Sequence, residues 1–366
     1  MKHTIALASI LTLVACGQSQ TESDLSSAEY PLGTVKNLAP GRGLGTVTGS
    51  AYLDLRAPDC VTHGGLEASP GSGEMTLSVR SITSTTDFDK TITDKFNFGI
   101  SDASEKPLFD ASFNHAGIRQ ATKSATVSIG EITIRKEFPY ESLKSPQPSA
   151  KLLGLKGSSD PYAVYKTCGD SIIYGYKKVV EVTSYVVCET SSESRKRTMD
   201  NSLKGFGIYK GMKFSLDAGT KVDAIAKANA ASCSMSVFAR GGKGSIQTAD
   251  IKTFVQSGLD YANNSGTSDA FVEAIETLKY DELGSPELNA VLAGQTTSFP
   301  EAERLLSPFL DSGKNLLSLY LSQPSENVKA TLKDYSNKLK GCAATPWDLN
   351  SCTFSQHPGV NPLDTW

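Results

Sequence analysis

The residues of this chain that could do chemistry are its cysteines, histidines and carboxylates, and their spacing favours cross-linking over catalysis. Cys60, Cys168, Cys188, Cys233, Cys342 and Cys352 form an even set. In an exported chain such a set forms up to three disulfides. Cys342 and Cys352 are the obvious local pair, closing a loop that holds Pro346 and Trp347; the other pairings stay open. No Cys-x-x-Cys occurs, and His63, His115 and His357 are far apart, so no metal site is expected. Cys168 has Asp170 near it but no histidine, so a disulfide or buried thiol is expected there rather than a nucleophile. Gly41 to Gly45 lacks the Gly-x-x-x-x-Gly-Lys-Ser/Thr spacing of a phosphate loop and reads as a turn leading into a sheet. No paired carboxylates or nucleophile motif stand out, so neither an enzyme nor a cofactor is expected.

The amino terminus carries a different chemistry. Lys2 and His3 precede an apolar run from Ile5 to Ala15, interrupted by Ser9 and Thr12. It is too short for a spanning helix and has the form of an export signal. The run ends Leu13-Val14-Ala15-Cys16-Gly17, which resembles the end of a bacterial lipoprotein signal. Small residues fit the processing enzyme, and the Cys16 thiol accepts the acyl-bearing group. That resemblance implies removal of residues 1–15 and a lipidated polar tether over 16–39, of which Gln18 to Glu29 is Ser-rich. It also implies a place in the cell envelope, with Gly17 favouring the outer membrane, and membrane contact through the acyl chains. With 39% hydrophobic and 20% charged residues, the chain is neither wholly disordered nor multi-spanning. A net charge of -3 argues against a nucleic-acid-binding surface over the whole molecule.

Periodicity gives the elements that must position these groups. Glu74 to Ile82 alternates as a strand, with Met75, Leu77 and Val79 on one face. Phe88, Ile92 and Phe96 repeat at helical spacing, although the threonines between Thr83 and Thr93 weaken a helix there. Ala125 to Phe138 alternates again, with a slip at Gly130 that reads as a bulge. Asp160 is placed to cap a short helix over Tyr162 to Cys168. Ile172 to Val187, rich in valine, is the strongest extended stretch, with a bend expected at Gly175. Arg195, Lys196 and Arg197 read as a solvated face, Lys221 to Ala231 as a helix and Cys233 to Ala239 as a strand. Beyond Gly242, helical stripes are expected through Ile251, Phe254, Val255 and Leu259, through Phe271, Ile275 and Leu278, and on to Leu339. That order asks for an α+β fold, an antiparallel sheet with helices packed on it.

Three segments carry a further likeness. Gly41-Arg42-Gly43-Leu44-Gly45-Thr46-Val47-Thr48-Gly49 is a glycine-rich opening. Tyr165-Lys166-Thr167-Cys168-Gly169-Asp170-Ser171-Ile172-Ile173 delivers a helix into the long strand, and Val237-Phe238-Ala239-Arg240-Gly241-Gly242 ends the last strand. In this order, spaced around two polar segments, they resemble the membrane attack complex/perforin and cholesterol-dependent cytolysin (MACPF/CDC) superfamily over residues 40–260. The resemblance implies a bent, twisted four-stranded antiparallel sheet flanked by helical clusters; beyond it, residues 261–366 read by their apolar stripes as a mostly helical region with a cysteine-containing tail. The resemblance implies too that the segments 83–124 and 190–232 are clusters able to unfold into amphipathic hairpins.

A spanning hairpin needs about 9–11 residues per strand, apolar on one side. In the first segment Asp87, Asp89, Asp94 and Lys95 crowd the apolar positions. The second sets Phe206, Ile208, Met212, Phe214 and Leu216 at period two, interrupted on that face by Lys204 and Lys210. A paired glycine that often follows the family's central signature is represented here by Gly175 alone. The expected function is that of a non-enzymatic, lipid-anchored protein that self-associates and meets a surface lipid, glycan or protein. The alternatives are a lytic pore former, a structural or adhesion lipoprotein, and an exported hydrolase of unrelated fold.

Overall fold

The computed structural model describes residues 41–45, 54–55, 58–70, 73–95, 115–306 and 326–352; Cys16, the tether and Gly49 lie outside them. The strands are β1 (Gly43–Gly45), β2 (Asp54–Leu55), β3 (Val61–Thr62), β4 (Leu66–Ala68), β5 (Met75–Ile82), β6 (Val127–Glu137), β7 (Glu141–Leu143), β8 (Gln147–Pro148), β9 (Ser171–Thr190), β10 (Ile208–Lys210), β11 (Ala230–Arg240) and β12 (Phe271–Lys279). The helices are α1 (Thr85–Lys95), α2 (His115–Ala121), α3 (Ala150–Leu153), α4 (Ala163–Cys168), α5 (Glu193–Lys204), α6 (Met212–Asn229), α7 (Ile251–Asn264), α8 (Pro286–Leu292) and α9 (Glu326–Ala344).

β9 is the axis. Its 20 residues are dense in valine and aromatic side chains, which pack well on a pleated surface buried on both sides. On one edge it pairs antiparallel with β6, β7 and β1; on the other with β11 and β12. β5 continues the sheet beyond β6, and β10 continues it beyond β5. The four expected long strands β5, β6, β9 and β11 therefore stand side by side, but the expected count of four is corrected: the described sheet has ten strands. Short strands have added along one flank of the amino-terminal half of β9 and outside β5, and the nine-residue β12 along the other flank.

Other expectations change as well. The slip at Gly130 is not a bulge, because β6 keeps unbroken register with β9 from Val127 to Glu137 and with β5 from Ile129 to Lys136. Gly130 instead makes room for α5, since a Cβ there would meet Leu203 Cδ1 at 3.2 Å. Phe271 to Leu278 is a strand, not a helix. Glu273 is skipped in its pairing, and Tyr174 of β9 is skipped between the partners of Glu276 and Thr277; the apolar residues Phe271, Ile275 and Leu278 show no period of two, and their spacing imitates a helix. Pairing thus reaches past residue 260 into the sheet. Gly175 sits beside that irregularity, and a Cβ on it would run into the Tyr140 ring and hydroxyl. Asp160 does not cap α4, whose first helical residue is Ala163. Its carboxylate accepts from the Tyr162 N–H at 3.0 Å and closes the Pro161 turn instead.

Three apolar clusters hold the fold. On one face Phe88, Ile92 and Ile118 pack with Ile129, Tyr185 and Phe238. On the other, Phe254, Val255 and Leu259 of α7 and Ala218 and Val222 of α6 pack with Leu77, Ile132, Ile134 and Val182. The third, at the amino-terminal end of β9, gathers Leu143, Leu152, Val164, Ile172, Tyr280 and Leu288. Disulfides join Cys60 to Cys168, Cys188 to Cys233 and Cys342 to Cys352. The first ties the segment before β3 to the end of α4, the second bridges β9 and β11, and the third fastens the end of α9.

The tightest backbone approach is at Gly43, where a Cβ would coincide with the Cys168 carbonyl and crowd the Tyr280 hydroxyl. Gly43→Ala is expected to cost about 1–3 kcal/mol by overpacking, read as a lower midpoint in urea unfolding.

Candidate functional site

Two segments interrupt the long strands, and they leave the sheet at the same end. Ile82 pairs with Ile129, Val127 with Glu189 and Thr190 with Ala230, so residues 83–126 and 191–229 both spring from that rim. The described helices of the first insert, α1 and α2, lie on one face. The Ser84 hydroxyl accepts from the Asp87 N–H at 3.0 Å and Asp87 accepts from the Thr83 N–H at 3.2 Å, so reciprocal caps start α1 despite its threonines. Phe88 and Ile92 bury its inner side, and Asp89 reaches Arg119 of α2 at 3.1 Å. Burial raises the Asp89 pKa above its ordinary value, and the Arg119 charge offsets this only in part.

The second insert lies on the opposite face. The Ser192 hydroxyl caps α5 by accepting from the Arg195 N–H at 3.3 Å. Asp200 of α5 is its polar peg: one oxygen accepts from Ser128 Oγ at 2.5 Å and from Ser81 Oγ at 3.4 Å, and Lys196 donates to the other at 3.0 Å. The period-two row from Phe206 to Leu216 is divided here, extended only over β10 and helical from Met212 onward. α6 crosses α7 at Gly219, where a Cβ would stand 2.8 Å from Val255 Cβ. The basic triplet is met locally: Arg195 donates to the Ala228 carbonyl, Lys196 pairs with Asp200 and Arg197 with Glu193.

Sequence reading missed a polar ladder across the sheet on the face of the first insert. Arg80 of β5 donates to Glu131 of β6 at 2.7 Å, and Glu131 accepts from Thr133 at 3.0 Å. Thr133 meets Thr183 of β9 at 3.1 Å, Thr183 donates to Glu181 at 3.4 Å, and Arg240 of β11 donates to Glu181 at 2.9 Å. Arg135 adds a second cation to Glu181 at 3.5 Å and pairs with Glu273 of β12. The signal was available: Glu131, Thr133 and Arg135, and Glu181 and Thr183, sit at alternate positions in otherwise apolar strands.

The motif residues divide into two places. Gly41, Arg42 and Gly43 lie against the start of β9: the Gly41 N–H donates to the Ile173 carbonyl and the Ile173 N–H to the Arg42 carbonyl, both at 2.8 Å. Cys168, Gly169 and Asp170 form the adjoining turn. Gly169 has φ 80°, the Cys168 carbonyl accepts from Tyr280 Oη at 2.7 Å, and Asp170 accepts from Ser171 Oγ at 2.7 Å. Gly241 and Gly242, with φ 66° and 92°, turn the chain out of β11, and the Gly242 N–H donates to the Asp269 carbonyl at 2.7 Å. These are turn and packing positions.

A cavity of about 320 Å3 beside the β9 turn gathers Asp170, Lys279, Asp281 and Glu303, and burial, then Asp170, raises the Glu303 pKa. A larger groove of about 710 Å3 between α6 and α7 is lined by polar residues including Lys243, Asp250, Gln256 and Asp260. Among the described residues no cluster of three or more metal-ligating side chains is found, and no helix is long and apolar enough to cross a membrane.

No family model matches the chain, and no curated protein matches it. Solved structures similar to it include a cell invasion protein with a MAC/Perforin domain from Bacteroides thetaiotaomicron (12% identity, TM-score 0.27, covering 76% of this chain and 62% of that one). Stonustoxin is similar at 10% identity and TM-score 0.29, covering 77% of this chain and 42% of that one. GNIP1Aa from Chromobacterium piscinae is similar at 11% identity and TM-score 0.31, covering 74% and 56%. The chain thus spans less than two thirds of each of these proteins.

Two outcomes follow from the inserts. Gly219→Val should push α6 off α7, so that limited proteolysis cuts within 191–229 while the far-ultraviolet β signal is kept. Asp89 binds its proton more tightly folded than unfolded, so its contribution to stability falls as pH rises from 3.8 through the higher folded value. The difference in unfolding free energy between wild type and Asp89→Asn, measured across the acid range, should carry that slope.

Proposed function

We propose that this protein is a non-enzymatic, lipid-anchored component of the cell envelope that self-associates at a membrane or cell surface, with its two inserts as the parts that change shape. The observation that carries this reading is the shared rim: each insert is continuous with two neighbouring antiparallel strands, and both inserts leave from one end of one sheet. A strand pair with helices at its tip can lengthen without any change of topology, because the added residues join a ladder already in register. Each arm could gain about 20 residues, more than the 9–11 that a spanning strand needs. Acylation at Cys16 would hold the body near a bilayer.

A lytic role is the second reading. It is favoured by Ile208 and Phe214 of the second insert, which are 71% and 64% exposed in the folded chain and share the alternating row. Against it stand the acidic residues of the first insert.

The test is assembly on vesicles. Acylated protein should float with lipid through Cys16, Cys16→Ser should not, and electron microscopy of the floated material should show arcs or rings. Release of entrapped dye would add the lytic role. A chain that stays monomeric on every vesicle overturns self-association.

A further inference from the structure

Between α6 and α7 runs the polar groove that the packing of these two helices leaves open. Its floor is a stripe of α7. Thr253, Gln256, Ser257, Asp260 and Asn264 recur at steps of three and four, so they stand in line on one side of the helix. From Thr253 to Asn264 the stripe runs about 16 Å, enough for a short chain of sugar rings. Gln256 Nε2 donates to Asp260 at 3.0 Å, which sets an amide and a carboxylate side by side one turn apart.

Both walls are fixed in place. One is the chain that leaves β11, and it is pinned along α7: the Tyr261 hydroxyl donates to the Gly241 carbonyl at 2.9 Å, the Lys243 N–H to Ser265 Oγ at 3.1 Å and the Gln247 N–H to Ser257 Oγ at 2.8 Å. Ile246, between those bonds, is buried in the core. The other wall is α6, which presents Leu216 and Thr220 and is held on Val255 of α7 by the close approach at Gly219. A site whose walls are set before the ligand arrives loses little in ordering. The charged side chains of the lining balance, with Lys243 and Lys252 against Asp250 and Asp260. The remaining polar groups are hydroxyls and amides, which both donate and accept, and Leu216 and the Tyr261 ring add apolar surface. Such a lining selects neither an anion nor a cation. It matches a neutral molecule with many hydroxyls beside C–H faces, and its volume of about 710 Å3 lies within the range of small-molecule sites.

We propose that this groove binds a neutral oligosaccharide, with Gln256 and Asp260 as its central hydrogen-bonding pair and α6 as its second wall. The site is complete only while α6 lies on α7. Because α6 belongs to the second insert, sugar in the groove stabilises the docked insert, and an insert that has left carries one wall of the site away with it. Binding by the folded monomer needs neither lipid nor assembly, so this inference stands apart from the self-association proposed above.

The test is calorimetric titration of the full mature chain, carrying Cys16→Ser to keep it free of lipid. The probes are maltotriose, cellotriose and tri-N-acetylchitotriose, with a sulfated trisaccharide as the anionic control. At least one neutral sugar should bind, and more tightly than the control. Gln256→Ala with Asp260→Ala, both at exposed positions, should weaken that binding roughly tenfold or more, the worth of one or two hydrogen bonds, at an unchanged urea midpoint. Gly219→Val, which displaces α6, should abolish it. Saturating sugar should slow proteolysis within 191–229 in the parent chain and leave the double variant as sensitive as before. A folded chain that binds none of the neutral sugars, or binds the sulfated one more tightly, overturns the site. So does binding that survives Gln256→Ala and Asp260→Ala undiminished. Failure of assembly on vesicles bears on the self-association alone, so the two are told apart.

Discussion

Both edges of β9 are occupied along its length, and the rest of the molecule is arranged around that constraint. A strand of 20 residues with partners on both sides cannot turn its main-chain polar groups toward water, so other segments must supply donors and acceptors. β6 and β11 do this for one half, and β7, β1 and β12 for the other. The helices then follow from the pleat: one set of side chains meets α5, α6 and α7, and the other meets α1 and α2. The Cys60–Cys168 disulfide and the Gly43 approach to Cys168 fix where β9 begins.

Much of this was legible in the residues. Valine density marked β9, alternation marked β5, β6 and β11, and a 3-4 apolar stripe marked α7. β12 was not legible, because its few large apolar residues, Phe271, Ile275 and Leu278, show no period of two and fall at the spacing of a helix face. The added short strands were hidden for another reason: two or three residues such as Asp54–Leu55 or Ile208–Lys210 have no period to detect. Their pairing comes from the neighbour's free edge rather than from their own composition. The polar ladder was visible residue by residue and invisible as a ladder, since the register that aligns Thr133 with Thr183 is a tertiary fact. The two inserts were legible as polar interruptions, but their placement on opposite faces of one rim was not.

The ladder and the inserts differ in how they are held. Glu131 and Glu181 are buried and joined across strands by arginine and threonine partners, an arrangement that loses several kcal/mol if one charge is left alone. The inserts are held by apolar packing with a few polar pegs, Asp89 to Arg119 in one and Asp200 to Ser128 in the other. Under the proposed function the helices would leave while the four long strands stay together. On that reading the wall would stay fixed while the flanks changed the outline of the molecule.

The bridge between Cys188 and Cys233 has a consequence for that change. It lies close to where the second insert begins, and it joins residues that face each other in the ladder. With those two positions covalently matched, neither arm can creep past the other, and each new rung must form outward of the single skipped residue, Ala231. Sliding by a single residue would exchange the two sides of a lengthened ribbon. The bond therefore settles which side chains of 191–229 would look inward and which outward before the first helix has unwound.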